Sequence, residues 1–164
     1  QGYDVHMYDE DEVHNGGTGL PYDEVKTAFD QRGVSILAIY GYSRGGGATY
    51  DLAEGLHSDE SINASMTAWI DAIESGLITG DSETRRPLGT SFHLNYYQRH
   101  DGHSGPYNFL GDALQNPLPG DVQINVTTEG WFSSGTNLLT HFNIDDDYRV
   151  IGGVKSQLVA RISR

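Results

Sequence analysis

Val34-Ser35-Ile36-Leu37-Ala38-Ile39-Tyr40-Gly41-Tyr42-Ser43-Arg44-Gly45-Gly46-Gly47 is the stretch on which the reading of the fold turns. Residues 34–40 are a nearly continuous apolar run between Gly33 and Gly41. A run of that length bounded by glycines predicts a strand buried on both faces, as strands of a parallel sheet are. Residues 45–57 follow as a helix whose start is rich in Gly and Ala. A buried strand passing through a tight glycine turn into a helix is one repeat of an α/β layered fold.

The pattern extends in both directions. Upstream, Pro21 opens a helical pattern with Val25, Ala28 and Phe29 on one face, and Gly33 ends it. Residues 3–8 (Tyr-Asp-Val-His-Met-Tyr) are expected as a short strand, followed by the acidic run Asp9 to Glu12 and a turn at Asn15-Gly16-Gly17. Downstream, Met66 to Ile70 predicts a second buried strand ending at Asp71. Residues 91–98 predict a third and 122–127 a fourth. From Asp147 to Arg164, Val150, Val154, Leu158 and Ile162 recur every four residues, which predicts a closing amphipathic helix. The expectation is a single α/β domain over 1–164, with a mostly parallel sheet flanked by helices. The Gly- and Pro-rich region 99–121 is expected to be a long surface loop.

Composition narrows the function classes. The chain has 164 residues, a formal net charge of −13 and only 10 Lys plus Arg. No basic stripe is present to neutralise phosphates, which argues against a nucleic-acid partner and against an anionic membrane surface. Without cysteine there is no disulfide framework, thiolate metal site or Cys nucleophile. No apolar run has transmembrane length and no signal peptide is evident. Gln1 in place of Met is expected of a processed product or an excised fragment; the localisation is left open, with a secreted bacterial protein as one expectation.

The motif that carries chemistry is Gly41-Tyr42-Ser43-Arg44-Gly45. A nucleophile elbow needs strand, Gly-x-Ser-x-Gly and helix in that order, because the serine must sit on a sharp turn that lifts its hydroxyl above the sheet edge. Gly41 and Gly45 would spare the neighbouring strand and helix a collision, and Gly46 and Gly47 would let the helix pack closely. The helix N-terminus would aim backbone N–H groups at developing negative charge, with the Arg44 N–H as one oxyanion donor. Gly41, Tyr42, Arg44 and Gly45 are thus the candidate oxyanion and substrate-binding residues around Ser43. The competing reading is a glycine-rich β-to-α turn with an idle serine, or an anion-binding loop.

Ile36 to Leu56 resembles the nucleophile elbow of the lipase and esterase members of the α/β-hydrolase superfamily. The resemblance implies a reduced or truncated α/β-hydrolase fold and the chain order Ser, acid, His. Asp71, ending the strand after the nucleophile helix, is similar in position to the acid of pancreatic-type lipases, with Ala72 where that context often has Pro. The acid of other superfamily members, one strand later, would fall near Asp101. His141, just before the closing helix, stands where the family's base belongs, with His100 and His103 as competitors. The resemblance therefore implies a triad of Ser43, Asp71 and His141 that cleaves a small-molecule or lipid ester through an acyl-enzyme, with no metal and no cofactor. A thioesterase or amidase would use the same triad, and a non-catalytic binding domain of a larger secreted protein would use none of it.

Other features compete less well. The runs Asp9–Glu12 and Asp145–Asp147 offer oxygen ligands for Ca²⁺ but lack EF-hand spacing; a solvated face or a helix N-terminus explains them. His100 and His103 lack zinc-ligand spacing. Tyr96, Tyr97, Tyr107, Trp131 and Phe132 suit either an acyl pocket or packing. Asn63-Ala64-Ser65 and Asn125-Val126-Thr127 match glycosylation acceptors non-specifically. The family usually takes its second oxyanion donor from a loop after an earlier strand. Here about 33 residues precede the nucleophile strand. Asn15-Gly16-Gly17-Thr18-Gly19 is glycine-rich and is the segment offered for that donor, although it follows the wrong strand if residues 3–8 are the strand beside the nucleophile.

Overall fold

The structure, a computed structural model, describes residues 3–14, 16–75, 81–99, 111–131 and 138–162. Along the chain a 3-10 turn (Glu10–Glu12) leads into β1 (Val13–His14), β2 (Thr18–Gly19) and α1 (Leu20–Arg32). Then come β3 (Ala38–Tyr42), α2 (Arg44–Glu60), β4 (Met66–Ile70), β5 (His93–Tyr97), β6 (Val122–Asn125) and α3 (Tyr148–Ile162). β1 and β2 form a small antiparallel hairpin. β3, β4, β5 and β6 form an all-parallel four-stranded sheet in that order. The architecture is thus the α/β class with a parallel sheet flanked by helices.

β4 shows why the sequence folds this way. Every residue of Met66–Ile70 is buried, because successive side chains serve opposite faces of a sheet covered on both sides. Met66, Ala68 and Ile70 join the core of Leu94, Tyr96, Val150 and Val154 on the α3 side. Trp69 points to the α2 side, where Ala72 and Leu114 complete a second cluster. Two glycines let α2 lie close to the β4 exit: a Cβ on Gly46 would stand 2.9 Å from Ala72 Cα, and one on Gly47 would stand 2.8 Å from Glu74 C.

Below the core, the Arg86 guanidinium donates to both Asp121 carboxylate oxygens, at 2.6 and 3.1 Å, with both side chains nearly buried. Asp121 also accepts from the His93 and Leu118 backbone N–H groups, at 2.9 and 2.7 Å. This pair ties the starts of β5 and β6 together, opposite the end that carries the motif residues. The arginine and the backbone donors hold the Asp121 carboxyl below its ordinary range against the opposing effect of burial.

Three expectations need correction. Residues 3–8 form no strand: Val5 and Met7 are 79% and 91% exposed, and no described strand pairs with them. Alternation alone does not supply the ladder partner a strand requires. The strand expected over 34–40 begins at Ala38 and runs to Tyr42, at the edge of the described sheet and only half-buried. Region 99–121 is not uniformly a surface loop, since Gly111 and Leu114 are buried against Asp71 and Trp69; residues 100–110 lie outside the described residues. α1 does stop at Gly33, whose φ of 70° suits glycine and lets Val34 N–H reach back to the Ala28 carbonyl.

Candidate active site

Strand register brings the motif residues together. Tyr42 pairs with Ile70, Ile70 with Tyr96 and Tyr96 with Ile124, so the four strands end in one row. Ser43 and Asp71 are the next residues after two neighbours in that row, and Gln98 lies just past β5. The carboxyl ends of parallel strands are where open α/β sheets bind ligands, because the chain leaves the sheet there and its loops converge.

Ser43 turns the chain from β3 into α2 with φ 56° and ψ −128°. A non-glycine residue with positive φ carries strain, of order 1–3 kcal/mol, unless its surroundings fix it. They do so here. Ser43 N–H donates to the Ile70 carbonyl at 3.0 Å, and the Ser43 carbonyl accepts from Gly46 and Ile73 N–H at 2.9 and 3.0 Å. A Cβ on Gly41 would stand 2.7 Å from Gly46 N and still closer to the Gly45 carbonyl, so the turn closes only over glycine there. Gly45 differs from the expectation: no described atom lies within 4 Å of where its Cβ would be. The close approaches belong to Gly41, Gly46 and Gly47.

Asp71 has positive φ too, at 48°, and its side chain is fully buried. Four donors surround its carboxylate. Gln98 N–H and Gly111 N–H reach Oδ1 at 3.1 and 2.8 Å, while Gln98 Nε2 and His141 Nδ1 reach Oδ2 at 3.1 and 2.8 Å. A buried carboxylate needs such a set, because unpaired charge in a core is costly. Gly111 is where the chain passes close enough to donate: a Cβ there would be 2.5 Å from Asp71 Oδ1.

His141 stands between the other two. Its Nε2 is 2.8 Å from Ser43 Oγ and its Nδ1 is 2.8 Å from Asp71 Oδ2. An ionised carboxylate only accepts, so Nδ1 carries the proton and Nε2 keeps its lone pair for the serine hydroxyl. The His141 loop is fixed from below by buried Leu139 and Ile144. Asn143 Oδ1 accepts from Thr140 N–H at 2.6 Å, and Ile144 N–H donates back to the Thr140 carbonyl. Asp147 then starts α3: its carboxylate accepts Arg149 N–H, its carbonyl accepts Ile151 N–H, and Arg149 holds its carboxyl below the ordinary range.

The remaining candidate residues separate by role. Tyr42 hydroxyl donates to the His141 carbonyl and its ring lies 5.2 Å from the imidazole. It therefore braces the histidine loop, and its hydroxyl is not turned to substrate as expected. Burial, with the charges of Asp145, Asp71 and Asp146, pushes the Tyr42 hydroxyl pKa up and keeps it a neutral donor. Arg44 opens α2, so its N–H is among the helix N-terminal donors without an intrahelical partner. Its guanidinium lies 4.0 Å from Glu10 and 3.7 Å from Asp11, which accounts for part of the first acidic run. The glycine-rich turn offered as second oxyanion donor lies elsewhere. A Cβ on Gly17 would meet the Asp51 carbonyl. Asp51 is about 10 Å along α2 from Arg44 at the helical rise of ~1.5 Å per residue. Tyr96 is core packing, 6.2 Å from Trp131. Asp101, His100, His103, Tyr107 and Phe132 lie outside the described residues.

Gln98 and Gly111 were not singled out in the sequence. Neither carried a local signal: Gln98 follows a strand that already holds the polar residues His93 and Asn95, and the partner of Gly111 is 40 residues away. Among the described residues one group has the spacing for a metal ion, Asp4, His6 and Glu24. Arg32 already sits between its carboxylates, 3.1 Å from Asp4 and 2.6 Å from Glu24, so the group is a surface ion-pair network.

No protein-family model matches the chain, and comparison with curated proteins and with solved structures found no significant similarity.

Proposed function

We propose that this chain is a serine hydrolase that cleaves carboxylic esters through an acyl-enzyme on Ser43. The single observation that carries the reading is the continuous relay from Ser43 Oγ through the His141 imidazole to the buried Asp71 carboxylate, with both links at 2.8 Å. Three residues far apart in sequence, on three different loops, meet in the order the chemistry uses.

His141 Nε2 takes the hydroxyl proton as Ser43 Oγ bonds to the ester carbonyl carbon. The carbonyl oxygen becomes an oxyanion beside the Arg44 N–H at the start of α2. The C–O bond to the alcohol then breaks, His141 returns the proton to the departing oxygen, and the acyl group stays on Ser43. Water repeats the sequence: His141 takes its proton, the acid leaves, and Ser43 regains its hydrogen. Asp71 holds the imidazole in the Nδ1–H tautomer and stabilises the imidazolium that forms twice per cycle.

p-Nitrophenyl acetate hydrolysis tests the proposal. Wild type is expected to turn over ester with saturation, and Ser43→Ala to lose at least a thousandfold in kcat with its fold unchanged by circular dichroism. Full activity in Ser43→Ala would refute it. A thioesterase or amidase using the same residues would show as preference for a thioester or anilide in the same assay.

A further inference from the structure

The geometry points to a substrate class: esters whose leaving alcohol is uncharged and apolar, packed against Phe142. The inference rests on the acyl-enzyme reading above and adds which side of the ester this site recognises.

The argument starts with the proton. His141 Nε2 must deliver it to the leaving oxygen, so that oxygen lies within hydrogen-bond reach of the imidazole and the alcohol extends past the ring. The described groups already at that ring are Asp71 on Nδ1, Ser43 on Nε2, Tyr42 inclined over it and Phe142 meeting it edge-on at 5.6 Å. Asp71 is buried and Tyr42 is tied by its hydroxyl to the His141 carbonyl. Phe142 differs: it is 66% exposed, although the histidine it touches is buried. An apolar group that leaves past the base and covers this ring gains the free energy of removing both surfaces from water.

Charge narrows the class further. Asp145 and Asp146 follow within five residues of His141, and both act on Tyr42. The one cation next to Ser43 in the motif, Arg44, has Glu10 and Asp11 beside it. An alcohol bearing a carboxylate therefore meets repulsion from several sides, whereas a neutral one does not.

A series of acetates tests this, because the acyl group and the second half of the cycle stay constant. Methanol and benzyl alcohol are of nearly equal acidity, so intrinsic leaving ability does not separate them. Wild type is expected to favour benzyl over methyl acetate roughly tenfold in kcat/KM, which corresponds to covering about 50–60 Å² of apolar surface. Phe142→Ala is expected to bring that ratio close to one and Phe142→Leu to keep most of it. The ratio is internal to each variant, so loss of folded protein does not move it. Benzyl acetate carrying a ring carboxylate is expected to react at least fivefold more slowly than benzyl acetate at low salt, with the gap narrowing at high salt. A wild-type ratio near one, or an unchanged ratio in Phe142→Ala, overturns the inference while ester turnover by Ser43 leaves the acyl-enzyme reading standing. No Ser43-dependent turnover of any acetate overturns both.

Discussion

His93 makes a strong demand on pH. It lies in β5 with its ring fully buried, Nδ1 2.7 Å from Thr67 Oγ1 and the ring edge-on to Trp69 at 4.3 Å. Its Nε2 has no hydrogen-bond partner among the described residues. Burial pushes its pKa from 6.5 down to about 3; Asp121 works weakly against this and Arg86 with it. A base whose folded pKa is depressed binds a proton more readily when unfolded. Stability is therefore intact above the unfolded value and falls as pH drops from about 6.5 to about 3. Each pH unit in that window removes about 1.4 kcal/mol, so the whole window removes about 4–5 kcal/mol. That is a large part of the ~5–15 kcal/mol stability of an ordinary domain. His93→Asn keeps a polar atom near the Nδ1 position and cannot titrate. Urea denaturation of both proteins from pH 7 to pH 4 measures the slope. Wild type is expected to lose stability more steeply than the variant by about 1.4 kcal/mol per pH unit, whatever the variant loses at pH 7. Parallel slopes would refute the burial argument.

The elbow glycines are predicted to behave oppositely: Gly41→Ala forces a methyl against the Gly45 carbonyl and Gly46 N, with an overpacking cost of about 1–3 kcal/mol. Gly45→Ala in the first turn of α2 is expected to leave stability equal or raise it by up to ~1 kcal/mol. Thermal melts of the two variants separate them. Gln98→Leu removes one of the four donors to Asp71 and is expected to cost about 1.5–3 kcal/mol in urea titrations. It should also lower kcat by tenfold or more with a smaller change in KM, because it disturbs the group that orients His141; an unchanged kcat would show that Gln98 supports only the fold.

How much of this was legible in the sequence depended on where the determining contacts lie. Met66–Ile70 was readable to the residue because burial on both faces leaves an unbroken apolar run, and α1 because Pro21 and Gly33 mark its ends through local backbone chemistry. The apolar run 34–40 does not mark the strand's start, because Val34, Ile36 and Leu37 are apolar and half-buried while the ladder starts at Ala38. Residues 3–8 alternate like a strand, yet pairing is a property of neighbours that one segment does not encode. For the site, Ser43 announces itself through local turn geometry, whereas Asp71 and His141 were placed only through the order that a resemblance implied. Gln98, Gly111 and the bracing role of Tyr42 depend on long-range approach alone. Gly45 fits the motif by sequence alone, since the glycines next to it, Gly46 and Gly47, carry the helix contact.

Covalent labelling with a fluorophosphonate, followed by peptide mass spectrometry, tests the central claim most directly. The Ser43–His141–Asp71 relay predicts one adduct, on Ser43, that is absent in Ser43→Ala and forms at least a hundredfold more slowly in His141→Ala. No adduct, an adduct on another residue, or equal labelling of His141→Ala would contradict it.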